Sequence, residues 1–238
     1  MVIDLNNTRV GEIVAANPGT ATVFRKLNID YCCGGKVSLA SACERVGADP
    51  EEVLEELMES REENHLKFDR FELDFLADYI VNVHHQYLYD NLPEIEFYVN
   101  KVYTKHRDKY AYLTELAALF VKLDAELMSH LPKEEEILFP YAKELLNARR
   151  AGIKPQSAPF GSVANPIRMM LDEHDGAGDI LMRIREITHD YTPPADACNS
   201  HLVMLHKLRE LDADLIQHIH LENNILFPKI EALEAEAL

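Results

Sequence analysis

The chain has 238 residues and carries 24 Lys and Arg against 41 Asp and Glu, a formal net charge of −17 with histidines neutral. Phosphate contacts demand clustered positive charge, so this balance excludes a nucleic-acid partner and attraction to an anionic membrane surface. At 47% hydrophobic the chain can bury a real core and is not an acidic disordered tail.

The first eight residues have neither a basic n-region nor an apolar h-region, and no stretch approaches the roughly 20 apolar residues that span a bilayer. A cytoplasmic location is expected. Short helices are predicted from Thr8 to Ala16, closed by Asn17-Pro18-Gly19, then from about Thr20 to Leu27, then after Lys36. The next begins at Asp49-Pro50-Glu51, where Asp49 can cap and Pro50 suits the first helical turn. The polar run from Glu59 to Lys67 lacks an apolar stripe and marks a boundary. This gives a small helical domain over 1–62, a linker over 63–71 and a bundle over 72–238.

Four long helical stretches follow, roughly 72–104, 109–148, 163–189 and 198–234, with Pro93 expected to kink or break the first. Only 9 Gly are present and strand-like alternation is almost absent. The predicted fold is all-α, an antiparallel four-helix bundle preceded by the small domain.

The strongest signal is an internal repeat. His130-Leu-Pro-Lys-Glu134-Glu-Glu-Ile-Leu-Phe-Pro140 recurs as His218-Ile-His-Leu-Glu222-Asn-Asn-Ile-Leu-Phe-Pro228, offset by 88 residues. The i, i+4 spacing puts each imidazole and carboxylate on one helix face. That face is the core seam: Leu116, Phe120, Leu123 and Leu127 lead to His130, Glu134 and Ile137, and Leu208, Leu211 and Leu215 lead to His218, Glu222 and Ile225. No Lys or Arg falls on either seam nearby, and an uncompensated buried carboxylate costs several kcal/mol. Something positive is expected there.

In an antiparallel bundle, residues at one height lie equidistant from the turn that joins their helices. The midpoints of His174 with His218, His85 with His130, and Glu134 with His174 are 196, 107.5 and 154, each inside a predicted break. His85, His130, Glu134, His174, His218 and Glu222 therefore fall at one level. The apolar pattern over 76–92 does not decide between His84 and His85, whereas the spacing prefers His85. His201 also lies on a seam, but 17 residues from His218 at ~1.5 Å rise place it about 25 Å away. Four imidazoles and two carboxylates suit a pair of borderline divalent metals, iron before zinc, with open positions for a small molecule.

The Asp30-Tyr-Cys32-Cys33-Gly34-Gly35-Lys36 turn is the second signal. Thiolates ahead of a helix N-terminus and beside Lys36 are expected to have lowered pKa values and to be reactive. Cys43 and Cys198 are read as inert, and four cysteines in this length do not make a disulfide framework.

Together, the Tyr31-Cys32-Cys33-Gly34-Gly35-Lys36 turn and the paired His-x3-Glu-x2-Ile-Leu-Phe-Pro motifs resemble the RIC (repair of iron centres) family of hemerythrin-like proteins, with a ScdA-type N-terminal domain. The resemblance implies two non-heme iron ions, with or without an oxo or hydroxo bridge, held by His85, His130, Glu134, His174, His218 and Glu222. It also favours His85 over His84. It implies repair of iron–sulfur clusters damaged by nitric oxide or oxidants, with damaged or apo iron–sulfur proteins as partners and Cys32 and Cys33 in a redox or docking role. Compared with oxygen-carrying hemerythrins there is one His fewer and Glu in place of Asp in the last helix, which counts against reversible oxygen carriage. Alternatives are binding or reduction of NO, and sensing of dioxygen or iron; the residues do not decide whether the protein turns over a substrate. The cysteine turn also offers a contact for a homodimer.

Overall fold

The computed structural model describes residues 3–59 and 66–237, all in helices, turns and loops; among them there is no strand, only the isolated bridges Arg9–Ser38 and Ala158–Gly161. Residues 63–65 of the expected linker lie outside the described residues. The N-terminal helices are α1 (Val10–Ala16), α2 (Ala21–Lys26), α3 (Leu39–Val46) and α4 (Pro50–Glu59). Ser38 caps α3 by accepting from the Ser41 amide, and Gly47 ends it at φ 70, where a Cβ would be strained. Asp49 caps α4 through the Glu51 amide at 2.8 Å.

The long stretches are α5 (Leu73–Tyr79) running through a π turn (Ile80–His85) into α6 (Gln86–His106); α7 (Tyr112–Lys133) through a π turn (Glu134–Leu138) into α8 (Phe139–Ala151); α9 (Ala164–Ile187); and α10 (Asn199–Leu221) through a π turn (Glu222–Leu226) into α11 (Phe227–Ala237). Of the kink or break expected at Pro93 there is no break, since α6 passes through it. A proline removes one i→i−4 bond and crowds one carbonyl, and packing on both sides holds the helix together: Leu92, Ile95 and Val99 are buried.

Two compact units emerge. One comprises 77–144 and 156–216. In it α7 packs on α6 and α9, and Leu88, Leu92, Leu116, Phe120, Leu123, Met170, Ile180, Leu208 and Leu211 form the core. Each such side chain is worth roughly 1.5–3 kcal/mol of burial. The other comprises residues to 76, 145–155 and 217 onward. There α1 packs on the π turn Glu222–Leu226, Arg150 pairs with Asp74 at 2.7 Å, and the Lys229 ammonium donates to the carbonyls of Asp69 and Phe71. The N-terminal helices thus share a unit with the final helix. No described helix is long and apolar enough to cross a membrane.

The π turns change the seam. Ile137, expected in line with His130 and Glu134, is 49% exposed, while Leu138 is buried. A π turn adds one residue to a helical turn, so the side chains beyond it are rotated by about 100° from the α-helical register. In the second copy both Ile225 and Leu226 are buried, in the segment that α1 covers.

Candidate metal centre

Each π turn abuts a candidate ligand: the first ends on His85, the second opens on Glu134 and the third on Glu222. For the second and third the placement follows from local chemistry. Pro140 and Pro228 lack the amide that would bond to the carbonyls of residues 136 and 224, and widening the preceding turn relieves the clash of the proline ring with them.

Within the 77–144 and 156–216 unit, His85, His130, Glu134 and His174 are all buried, and Glu134 is fully so. Glu134 Oε2 lies 3.5 Å from His85 Nε2 and 3.2 Å from His130 Nε2. His130 Nε2 and His174 Nε2 face each other at 3.1 Å. In the other unit His218 Nε2 lies 3.0 Å from Glu222 Oε1, again with both groups buried.

The opposite ring nitrogens decide what these atoms can do. His130 Nδ1 donates to Glu173 at 2.7 Å, and His85 Nδ1 donates to Glu135 at 2.8 Å. Burial pushes the Glu173 carboxyl up, but the Lys133 ammonium and His130 outweigh it and hold the group below its ordinary value. It therefore stays an anionic acceptor. Tyr89 also donates to Glu135; burial and that carboxylate push the phenol up to about 12, so it keeps its proton. With Nδ1 donating to a carboxylate, each ring turns its Nε2 toward Glu134. Imidazole nitrogens and carboxylate oxygens converge there, a set of donor atoms that a cation could share. A carboxylate behind each imidazole is the arrangement that orients metal-binding histidines. The donor set of imidazole nitrogens and carboxylate oxygens fits a borderline divalent metal such as iron.

His84 is turned elsewhere, with Nδ1 2.9 Å from Asp214 and its ring on Tyr79. His201 is buried against Tyr112 and His106. Glu135 and Glu173 were not singled out by the sequence. Glu135 follows Glu134 in the repeat, but its partner comes from a helix 50 residues away.

The cysteine turn differs from expectation. The helix after it starts at Leu39 rather than beside Lys36, so Cys32 is not at a helix N-terminus. Cys32 is buried, and its Sγ donates to Asp30 Oδ1 at 3.1 Å and lies 3.8 Å from Cys33 Sγ. The bond to Cys33, burial, and the charges of Cys33 and Asp30 push its thiol well above the ordinary value. Cys32 is a neutral thiol. The turn itself rests on the second copy of the repeat: the Asn224 amide donates to the carbonyls of Tyr31 at 3.3 Å and Cys32 at 3.2 Å, and to His220 Nδ1 at 3.2 Å. Burial pushes the His220 imidazole down to about 4, which keeps it neutral and able to accept. Gly11 and Gly35 make room; a Cβ on either would lie 2.2 Å or 2.7 Å from Asn224 Oδ1.

Residues 76–230 match the hemerythrin HHE cation-binding domain, and residues 6–61 match ScdA_N, a domain of unknown function. The chain is 38% identical over 226 residues to the Iron-sulfur cluster repair protein YtfE of Enterobacter sp. (strain 638), and 37% identical to those of Citrobacter koseri and Shigella boydii serotype 4. Each match covers 94% of this chain and 97% of the relative. With a hemerythrin-type cation-binding region behind a ScdA-type domain, the chain belongs to the RIC family of hemerythrin-like proteins.

Proposed function

We propose that this protein repairs iron–sulfur clusters damaged by nitrosative or oxidative stress, in the cytoplasm, by supplying iron from a di-iron centre. The observation that carries the reading is the pair of imidazoles whose Nδ1 atoms are tied to Glu135 and Glu173, which leaves their Nε2 atoms aimed at the buried Glu134. The residues that would hold the metal are His85, His130, Glu134, His174, His218 and Glu222. The support for this set is the His-x3-Glu repeat, the equal heights of the six positions in an antiparallel bundle, and membership of the hemerythrin family. Repair as the task is supported by relatives named for it that match nearly the whole chain.

When bound, two ferrous ions would supply exchangeable iron with open positions for a diatomic such as NO or dioxygen. The protein's own residues do the rest. Glu135 and Glu173 hold the tautomer of His85 and His130, so that Nε2 remains an acceptor. His85, His130 and Glu134 are themselves buried, which keeps bulk water from them. Cys32 and Cys33 take part as a docking or thiol-exchange element facing damaged or apo iron–sulfur proteins, with Cys33 the more accessible of the two.

Metal analysis of the purified chain should give about two irons per chain, lost in both His130→Ala and Glu222→Ala. Iron retained in either variant overturns the ligand set. The loaded protein, incubated with an NO-damaged cluster enzyme, should restore activity beyond that given by free ferrous iron and thiol. Equal recovery overturns the repair reading, and catalytic formation of nitrous oxide by the reduced protein would replace it with NO reduction.

A further inference from the structure

Asp30, Cys32 and Cys33 lie in the N-terminal turn, and the candidate ligand atoms of all three are within 4.8 Å of one another. The turn is built tightly around the carboxylate. Asp30 Oδ1 accepts from the backbone amides of Cys32 at 2.9 Å and Cys33 at 3.1 Å, and Oδ2 accepts from that of Gly34 at 2.8 Å. These bonds fix the carboxylate, and they explain an Asx-type turn completely. They do not explain why two sulfurs should be gathered beside the same carboxylate.

Cys32 Sγ approaches Asp30 Oδ1 to 3.1 Å and Cys33 Sγ to 3.8 Å, although the side chain is buried and could have faced apolar surroundings. Two thiols and a carboxylate make a concentration of acceptor atoms. Lys36, the nearest cation in sequence, is exposed. The spacing also has a metal-like geometry. With metal–sulfur bonds of about 2.3 Å, sulfurs 3.8 Å apart subtend an angle of about 111° at a shared ion, close to tetrahedral.

The backbone that carries the sulfurs is rigid. The Asn224 amide holds the carbonyls of Tyr31 and Cys32, and a Cβ at Gly35 would lie 2.5 Å from the Tyr31 carbonyl oxygen, so the chain here is close-packed in a way that glycine alone permits. Supporting contacts of this kind keep ligands in place without a metal and lower the cost of binding one.

We infer that Asp30, Cys32 and Cys33 form a second cation site, which takes one thiophilic divalent ion through two thiolates and a carboxylate. Three protein ligands leave one tetrahedral position open, and Asp30 is exposed and Cys33 half-exposed, so that position faces the accessible side of the turn. Binding displaces the two thiol protons: both S–H bonds break, two metal–sulfur bonds form, and the protons pass to solvent with no change of oxidation state. The site stands independently of the di-iron reading above.

The test titrates the iron-loaded full chain with zinc alone, against a chromophoric chelator, while iron content and proton release are followed. Cadmium serves as a second probe, because thiolate ligation gives it an ultraviolet charge-transfer band. The wild-type chain should bind one zinc more than the Cys32→Ser/Cys33→Ser double variant, release two protons per ion and show the cadmium–thiolate band. Cys33→Ser and Asp30→Asn change the accessible side of the turn, and Asp30→Asn keeps an oxygen acceptor for the amides; each should weaken zinc at least about 10–100-fold with iron content unchanged. Equal zinc uptake by the wild-type and double-variant chains overturns the proposal. So does wild-type affinity in Asp30→Asn, which would mean a thiol pair without the third ligand. Iron content and cluster recovery are read separately, so failure here is distinguishable from failure of the repair reading.

Discussion

His130 and His85 present the same face to Glu134 because each has a carboxylate at its back. Lys133 holds Glu173 in the anionic form, and Tyr89 shares Glu135 with His85. Removing one of these backing groups frees the imidazole to rotate and to change tautomer. Glu173→Ala should therefore lower metal affinity about 10–100-fold while leaving the fold intact, as read by chelator competition and circular dichroism. An unchanged affinity would show that Glu173 serves only as the partner of Lys133. The His-x3-Glu pairs were legible because their spacing and their place on the apolar seam are properties of one helix. Glu135 and Glu173 were not legible, since among 41 acidic residues nothing in the local sequence separates a glutamate that backs a histidine from one on the surface. Cys32 was read wrongly in chemistry: proximity to Lys36 in sequence suggested a thiolate, whereas the fold places it against Asp30.

Helix identity was largely visible in the sequence, from apolar steps of three and four, from the Asp49-Pro50 start and from the polar breaks. The π turns were not, although the Pro140 and Pro228 that close each repeat are their physical signal. The close packing of α1 against the third π turn gives a test of that region. Gly35→Ala sets a Cβ 2.5 Å from a backbone oxygen, and Gly11→Ala sets one against Asn224, whose amide is already held by three acceptors. Each should destabilise the protein by about 1–3 kcal/mol. Gly176 lies inside α9, and a Cβ there meets nothing within 4 Å. Gly176→Ala should stabilise by about 0.5–1 kcal/mol, because alanine loses less backbone entropy in a helix. Thermal denaturation of the three variants checks the ordering, and a stable Gly35→Ala would show that the turn can relax.

On the scale of the whole molecule, a charge of −17 coexists with two fully buried carboxylates, Glu134 and Glu222. Surface charge is solvated and screened, but the interior acids depend on what lies beside them. Stripping the metal with a chelator should lower the melting temperature, since a ligand that binds only the folded chain adds RT ln(1 + [L]/Kd), about 4 kcal/mol at 1,000 times Kd. Differential scanning calorimetry before and after iron removal measures this, and His130→Ala should melt at the same temperature with or without chelator. Identical melting of the wild-type chain in both states would separate metal from stability.

The three π turns can also be counted as surplus length. A helix that carries one is an ordinary α-helix with a single extra position, and the residues on its two sides belong to different rotational frames. Glu134 and Glu222 are the first residues of such insertions, so the segment before each answers to the packing of the seam while the segment after it is free to follow another surface. Identical Ile-Leu-Phe-Pro endings then meet different surroundings, Ile137 half in solvent and Ile225 buried in the turn on which α1 packs. Closing the turn into α-helix without removing a residue would merge the two frames, carrying Leu138 off the core and Ile137 onto it.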